Sequence, residues 1–186
     1  MPITAIDPKS ALIVIDLQKG ISSMFPDSKD MQAVVNNTNR LSQAFRQKGL
    51  PVVLVVVAGT APGRTDAPRR GQKELPAEFS ELVPDLVQEP NDIHIVKRTP
   101  GAFANTGLKD KLNALGVTQV VVTGVSTSNG VDSTARQAYE LGYNVTLPTD
   151  AMMDANPETH ATTIAAVFPR IAETGSTDDV LTLIGN

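Results

Sequence analysis

The sequence predicts an α/β fold in three layers, a mostly parallel sheet covered by helices on both faces. Short β-branched runs alternate with longer amphipathic stretches along the whole chain. The runs show no polar alternation, so each strand must be buried on both sides. Helix-sized stretches stand between the runs, and such connections return the chain to the same edge direction of a parallel sheet.

Taken in order, Ala11–Asp16 (ALIVID) is an apolar run closed by an acid. Asp30–Lys48 brings Val34, Val35, Leu41, Ala44 and Phe45 close to helical spacing, and Gly49 follows as a stop. Pro51–Val57 is a second run, followed by a loop from Ala58 to Gly71 rich in Gly, Pro and Arg. Ile93–Val96 is a short strand. Thr106 can cap a helix from Gly107 to Leu115, which Gly116 ends. Val117–Gly124, with consecutive valines at 120, 121 and 122, is the strongest strand signal. A helix from about Ser128 to Leu141 places Val131, Ala135, Ala138 and Leu141 on one apolar face, and Gly142 stops it. Tyr143–Leu147 is a strand, Pro157–Phe168 a helix and Arg170–Glu173 a last short strand. Thr177–Ile184 is a terminal helix capped by Ser176.

The 186 residues are 41% hydrophobic and 19% charged, as in a soluble globular protein, and their number suits one domain over 1–186. A net charge of −4 argues against a broad basic face for nucleic acid. Cysteine is absent, which removes disulfides, thiolate metal sites and a thiol nucleophile together. The apolar runs are strand-sized and Met1–Ser10 has no signal-like apolar stretch, so no membrane segment is expected and the cytoplasm is the default location. No cofactor is expected, and no metal, since His94 and His160 are the only histidines. The expected partner is a small-molecule substrate, and the expected assembly is a homo-oligomer.

In open α/β sheets, function collects at the carboxyl ends of the strands. That rule nominates Asp16, the Ala58 loop, Lys97 and the segment Gly124–Gly130. Taken singly, Asp16 reads equally well as a cap, Lys97 more readily as a solvated strand end, and Thr127 or Ser128 as a helix N-cap. Gly124–Gly130 is neither a dinucleotide fingerprint nor a P-loop, because its glycine spacing is wrong and no Gly-Lys-Ser/Thr follows. Convergence of these strand ends in one cleft would make them a site.

ALIVIDLQ (Ala11–Gln18), VKRTPGAF (Val96–Phe103), VVVTGVSTSNGVDSTARQAYELGYNV (Val120–Val145) and TDAMMD (Thr149–Asp154) carry a resemblance. In their order and spacing the chain resembles the isochorismatase-like hydrolases, the cysteine hydrolase superfamily. The resemblance implies a Rossmann-like α/β/α sandwich and catalytic roles for Asp16 and Lys97. It also implies a cis Val125–Ser126 bond and Phe103 at the pocket, although Phe103 reads equally well as a core residue. Most of the family carries its nucleophilic cysteine where this chain has Gly130. True isochorismatases also lack that cysteine and cleave a vinyl ether, with the aspartate as proton donor. This chain looks most like a branch of relatives with glycine there and a similar G-[VI]-S-T-x-x-G-V-[DE]-S-T-A-R stretch. Two features set it apart from isochorismatase and nicotinamidase themselves. Val57–Thr60 lacks the substrate-binding glutamine of the former, and the stretch following the second strand run lacks the D-x-H of the latter.

Two mechanisms follow. Asp16 could protonate an enol-ether carbon as general acid. Alternatively, it could activate water at an acyl carbon as general base, with the water in the space vacated at Gly130 and the amides of Ser126 and Gly130 on the oxyanion. Burial would raise the Asp16 pKa and Lys97 would lower it. Ser128 or Ser133 could substitute as nucleophile, although neither stands at the family's nucleophile position. Arg64, Arg69 and Arg70 read as solvated loop charges, or as a fork for a substrate carboxylate. His160 reads as a surface or capping residue and Asp150 as a cap. The expected function is hydrolysis of a small anionic molecule without a covalent intermediate. The alternative is a catalytically silent binding or scaffold protein that keeps the pocket.

Overall fold

The structure is a computed structural model that describes residues 2–25, 28–66 and 75–185; Arg69 and Arg70 lie outside the described residues. Seven strands form one sheet: β1 (Ser10–Ile15), β2 (Val52–Val57), β3 (Ile93–Lys97), β4 (Gln119–Val125), β5 (Asn144–Pro148), β6 (Met152–Met153) and β7 (Glu173–Gly175). Their order is β3-β2-β1-β4-β5-β7, with β6 beside β4, and the pairings are parallel. The chain moves outward from β1 through β2 to β3, returns to the centre at β4, and then moves outward the other way. The carboxyl ends of β1 and β4 therefore flank the topological switch point, the place where open α/β sheets put their ligands.

The helices are α1 (Lys19–Ser22), α2 (Lys29–Gln47), α3 (Leu108–Ala114), α4 (Asp132–Glu140), α5 (Pro157–Thr162) and α6 (Thr177–Gly185). Alternation along β1 divides the core. Ala11, Ile13 and Ile15 pack with Leu108 and Leu112 of α3 and Ala135 and Ala138 of α4. Leu12 and Val14 pack with Val34, Val35, Leu41 and Phe45 of α2 and Val180 and Ile184 of α6. Each fully buried side chain of this size stabilises by roughly 1.5–3 kcal/mol, so the two-faced burial read from the sequence is what holds the sheet. Ser28 caps α2 by accepting the Met31 N–H at 3.2 Å. Ser176 caps α6 by accepting the Asp179 N–H at 3.1 Å, and Asp179 Oδ2 accepts the Ser176 N–H at 2.8 Å in return.

Several expectations are corrected. Leu141 is 38% exposed, because α4 ends at Glu140 and the chain turns before Leu141 can reach the core. The helix placed from Ser128 begins instead with a wide π-type turn, Thr127–Val131, and becomes α-helical at Asp132. The last strand is Glu173–Gly175 rather than 170–173, because Phe168–Arg170 closes a 3-10 turn first. The stretch 157–168 is helical but widens at Thr163–Val167. Helix α1, the 3-10 turn Ala77–Ser80 and β6 were not anticipated; each is too short to show a period. No helix of the described residues is long and apolar enough to cross a membrane.

Candidate active site

At the end of β1, Asp16 takes φ +54°, a left-handed value uncommon outside glycine. Two backbone bonds hold it there: its N–H donates to Val55 O at 2.9 Å, and its carbonyl accepts the Gln18 N–H at 2.9 Å. Lys97 ends β3, two strands away. Its buried side chain reaches across β2, and Nζ donates to Asp16 Oδ2 at 2.7 Å and to Pro100 O at 2.8 Å. A lysine this deeply buried needs such partners, because an uncompensated charge inside a protein is costly.

Burial pushes the Asp16 carboxyl up to about 6 from its ordinary 3.8, against the opposing charge and hydrogen bond of Lys97. The competition posed by the sequence is thus decided in favour of burial. Oδ2 holds the lysine, whereas Oδ1 is buried without a hydrogen-bond partner.

The third wall comes from β4. Gly124 has φ +114°, and a Cβ there would run into the Ile15 carbonyl, so glycine lets β4 close on β1. The Val125–Ser126 bond is cis, as the resemblance implied. Gly130 then comes beside the aspartate: a Cβ built on it would lie 3.2 Å from Asp16 Oδ2, 3.2 Å from Val125 O and 2.9 Å from Ile15 Cγ2. A side chain there would press on Ile15 and face the acid directly. Ser126 is half-buried, and its carbonyl accepts the N–H groups of Asn129 and Val131, each at 3.1 Å.

The remaining candidates scatter around this centre. Phe103 is half-buried; its ring stacks on Tyr143, at the amino end of β5, with centroids 5.9 Å apart. His160 Nδ1 lies 2.8 Å from Thr127 Oγ1, so it ties α5 to the Gly130 turn rather than standing free on the surface. Ser128 gives its N–H and its hydroxyl to Asp154 Oδ2, at 2.8 and 2.7 Å. Burial raises the Asp154 carboxyl, but the hydrogen bonds from Ser128 and from the Asn156 and Ala155 amides outweigh it and hold the group below its ordinary value. Asp150 Oδ1 accepts the Thr177 N–H at 2.7 Å, at the start of α6. Arg64 is exposed, and Arg98 Nη1 donates to Ala58 O at 3.3 Å across the exits of β2 and β3. Among the described residues no group of three or more His, Cys, Asp or Glu could hold a metal ion.

Gln18 was missed as a site residue. It is fully buried; Oε1 accepts the Val57 N–H at 2.7 Å, and Nε2 donates to Val57 O at 3.0 Å and Phe79 O at 2.9 Å. The side chain thus pins the Asp16 turn to the exit of β2. Its one sequence signal is an amide two residues after the acid.

A family model described as the isochorismatase domain matches residues 10–179. The isochorismatase family protein YwoC of Bacillus subtilis is 37% identical over 179 residues, 93% of each chain. The ureidoacrylate amidohydrolase RutB of Variovorax paradoxus is 31% identical over 170 residues, 76% of this chain and 68% of its own. The solved structure of an isochorismatase family protein from Burkholderia thailandensis superposes with a TM-score of 0.90 at 34% identity, covering 98% of both chains.

Proposed function

The chain belongs to the isochorismatase family of hydrolases, and from that premise we propose that it hydrolyses a small anionic molecule without a covalent intermediate, with Asp16 as the acid and base and Lys97 as its partner. The carrying observation is the buried Asp16–Lys97 pair set against Gly130, a residue with no side chain to serve as nucleophile. We place the chain, 1–186 as one domain, in the branch with glycine at the nucleophile position.

Proton donation is the step this geometry supports best. Lys97 donates to Oδ2, so the acid proton belongs on Oδ1, which has no competing partner. With a pKa of about 6, the neutral acid is well populated in mildly acidic solution and falls to about a tenth at pH 7. In the leading form, Oδ1–H gives its proton to the terminal carbon of an enol ether. Water adds to the resulting oxocarbenium carbon and returns a proton to the Asp16 carboxylate. The adduct then collapses to a carbonyl compound and an alcohol.

The amidohydrolase among the relatives favours a second form. There the Asp16 carboxylate takes a proton from water attacking an acyl carbon, the amides of Ser126 and Gly130 face the oxyanion, and the proton passes to the departing nitrogen. Arg98 at the strand exits, with Arg64 on the loop after β2, supports an anionic substrate.

The test is a panel of vinyl ethers, amides and ureido compounds, assayed with the wild type and Asp16→Asn. Turnover of a vinyl ether that is lost in Asp16→Asn and falls as pH rises through about 6 is the expected result. Amide turnover that rises through the same pH would select the second form. Turnover indifferent to Asp16→Asn would overturn both. Binding of panel members without turnover of any would support a silent binding protein.

A further inference from the structure

The two halves of the site, the Lys97 loop and the Gly130 turn, are fastened by one buried hydroxyl. Thr134 lies in the first turn of α4 and is fully buried. Its Oγ1 donates to Gly130 O at 2.7 Å and accepts the Ala102 N–H at 3.1 Å. A hydroxyl has one proton and two lone pairs, so it can make both bonds at once. The first bond alone would be ordinary, since threonines in helices often bond back to the carbonyl four residues earlier. The second reaches 32 residues along the chain and turns a local bond into a link.

That link closes a ring. Asp16 Oδ2 accepts Lys97 Nζ at 2.7 Å, and Lys97 Nζ also donates to Pro100 O at 2.8 Å. Two residues on, Ala102 bonds to Thr134, Thr134 bonds to Gly130, and Gly130 faces Asp16 Oδ2. Gln137, three residues after Thr134, adds a second clamp. Its Oε1 accepts the Phe103 N–H at 3.0 Å, and its amide lies where a side chain on Gly101 would have to go. Helix α4 thus holds both the turn that bears Gly130 and the loop that supplies a second acceptor to Lys97.

We infer that Thr134 is a positioning residue, which through Gly130 and Ala102 fixes the spacing between the Gly130 turn and the Asp16–Lys97 pair, with Gln137 as its accessory clamp. The inference rests on the reading of that pair as the reacting groups. Thr134→Val keeps the side-chain shape but leaves the Gly130 carbonyl and the Ala102 N–H buried without this partner. Buried polar groups so stranded draw in water. Water or movement at the Gly130 turn, which faces Asp16 Oδ2, relieves the burial of that carboxyl, the larger of the opposing influences on it.

The test is a carbon-13 NMR titration of the Asp16 side-chain carboxyl, assigned with Asp16→Asn. Thr134→Val is expected to lower the midpoint by about one unit, because relief of desolvation favours the ionised form. Thr134→Ser, which keeps the hydroxyl, is expected to restore the wild-type midpoint, and Gln137→Ala to lower it by less. A Thr134→Val protein that melts earlier but keeps the wild-type midpoint would reduce Thr134 to a stability role and overturn the inference. If Thr134→Val does not fold, the half-buried Gln137 decides, and an unmoved midpoint in Gln137→Ala overturns it. The titration needs no substrate. A failed substrate panel would count against the proposed hydrolysis while leaving this result standing.

Discussion

Asp16 and Lys97 stand 81 residues apart in sequence and meet with 2.7 Å between Oδ2 and Nζ, both side chains buried. The meeting follows from register. Ile15 pairs with Val55 across β1 and β2, and Val57 pairs with Lys97 across β2 and β3, so both residues leave the sheet at its carboxyl edge. The lysine then spans one strand to reach the acid.

Stability should fall as Asp16 ionises. Its carboxyl is raised to about 6 in the folded chain, against 3.8 ordinarily, so the folded state binds the proton more tightly. The associated stability is complete below about pH 4 and is lost as pH rises through about 6, a total of roughly 3 kcal/mol at 1.36 kcal/mol per unit. Asp16→Asn has no such proton. The wild-type advantage over Asp16→Asn in urea unfolding should shrink by about that amount between pH 3 and 7. A difference that stays flat with pH would contradict the raised value.

Removing Lys97 should drive the acid further up. Lys97 is the group that opposes burial at Asp16, through its charge and its hydrogen bond. Lys97→Met fills similar space without charge, so the Asp16 midpoint in a carboxyl NMR titration should rise above 6. A midpoint that falls would mean that water replaces the lysine and outweighs its loss.

Gly130→Cys should be resisted by packing. The new Cβ would press on Ile15 Cγ2 at 2.9 Å, and Ile15 is fully buried on a central strand. Overpacking of this kind costs about 1–3 kcal/mol. Ile15→Ala opens the space at a cost of about 2–5 kcal/mol by itself. The double variant should cost less than the two singles together, as read by urea denaturation. Strict additivity would show that Ile15 is not what excludes the side chain.

Phe103→Ala distinguishes packing from substrate contact. The ring stacks on Tyr143 and joins the core around α3 and α4, so its loss should cost about 1–3 kcal/mol in thermal unfolding. KM for whichever substrate the panel yields should stay within about twofold, since only direct contact would add binding energy. A several-fold rise in KM with stability intact would assign the ring to the pocket instead.

What the sequence determined by itself was local. ALIVID and the valines of 120–122 must be strands buried on both faces, because unbroken β-branched runs suit no half-exposed element. Val34, Val35, Leu41 and Phe45 must share a helix face, because their spacing follows its period. Asp16 and Lys97 could be recognised as strand ends, and the motifs around them supplied their pairing through family likeness. The tertiary structure alone decided that β4 returns to the centre beside β1, since strand order lies outside any local window. That return set Gly130 against the Asp16–Lys97 pair, and burial prevailed over the lysine at the acid. Tertiary packing also gave Gln18 and Thr134 their partners, Val57 and Phe79 for the one and Ala102 for the other. Those bonds were illegible in the sequence for one physical reason: backbone amides and carbonyls carry no residue identity, so a side chain that grips distant backbone leaves no pattern at the residue it holds.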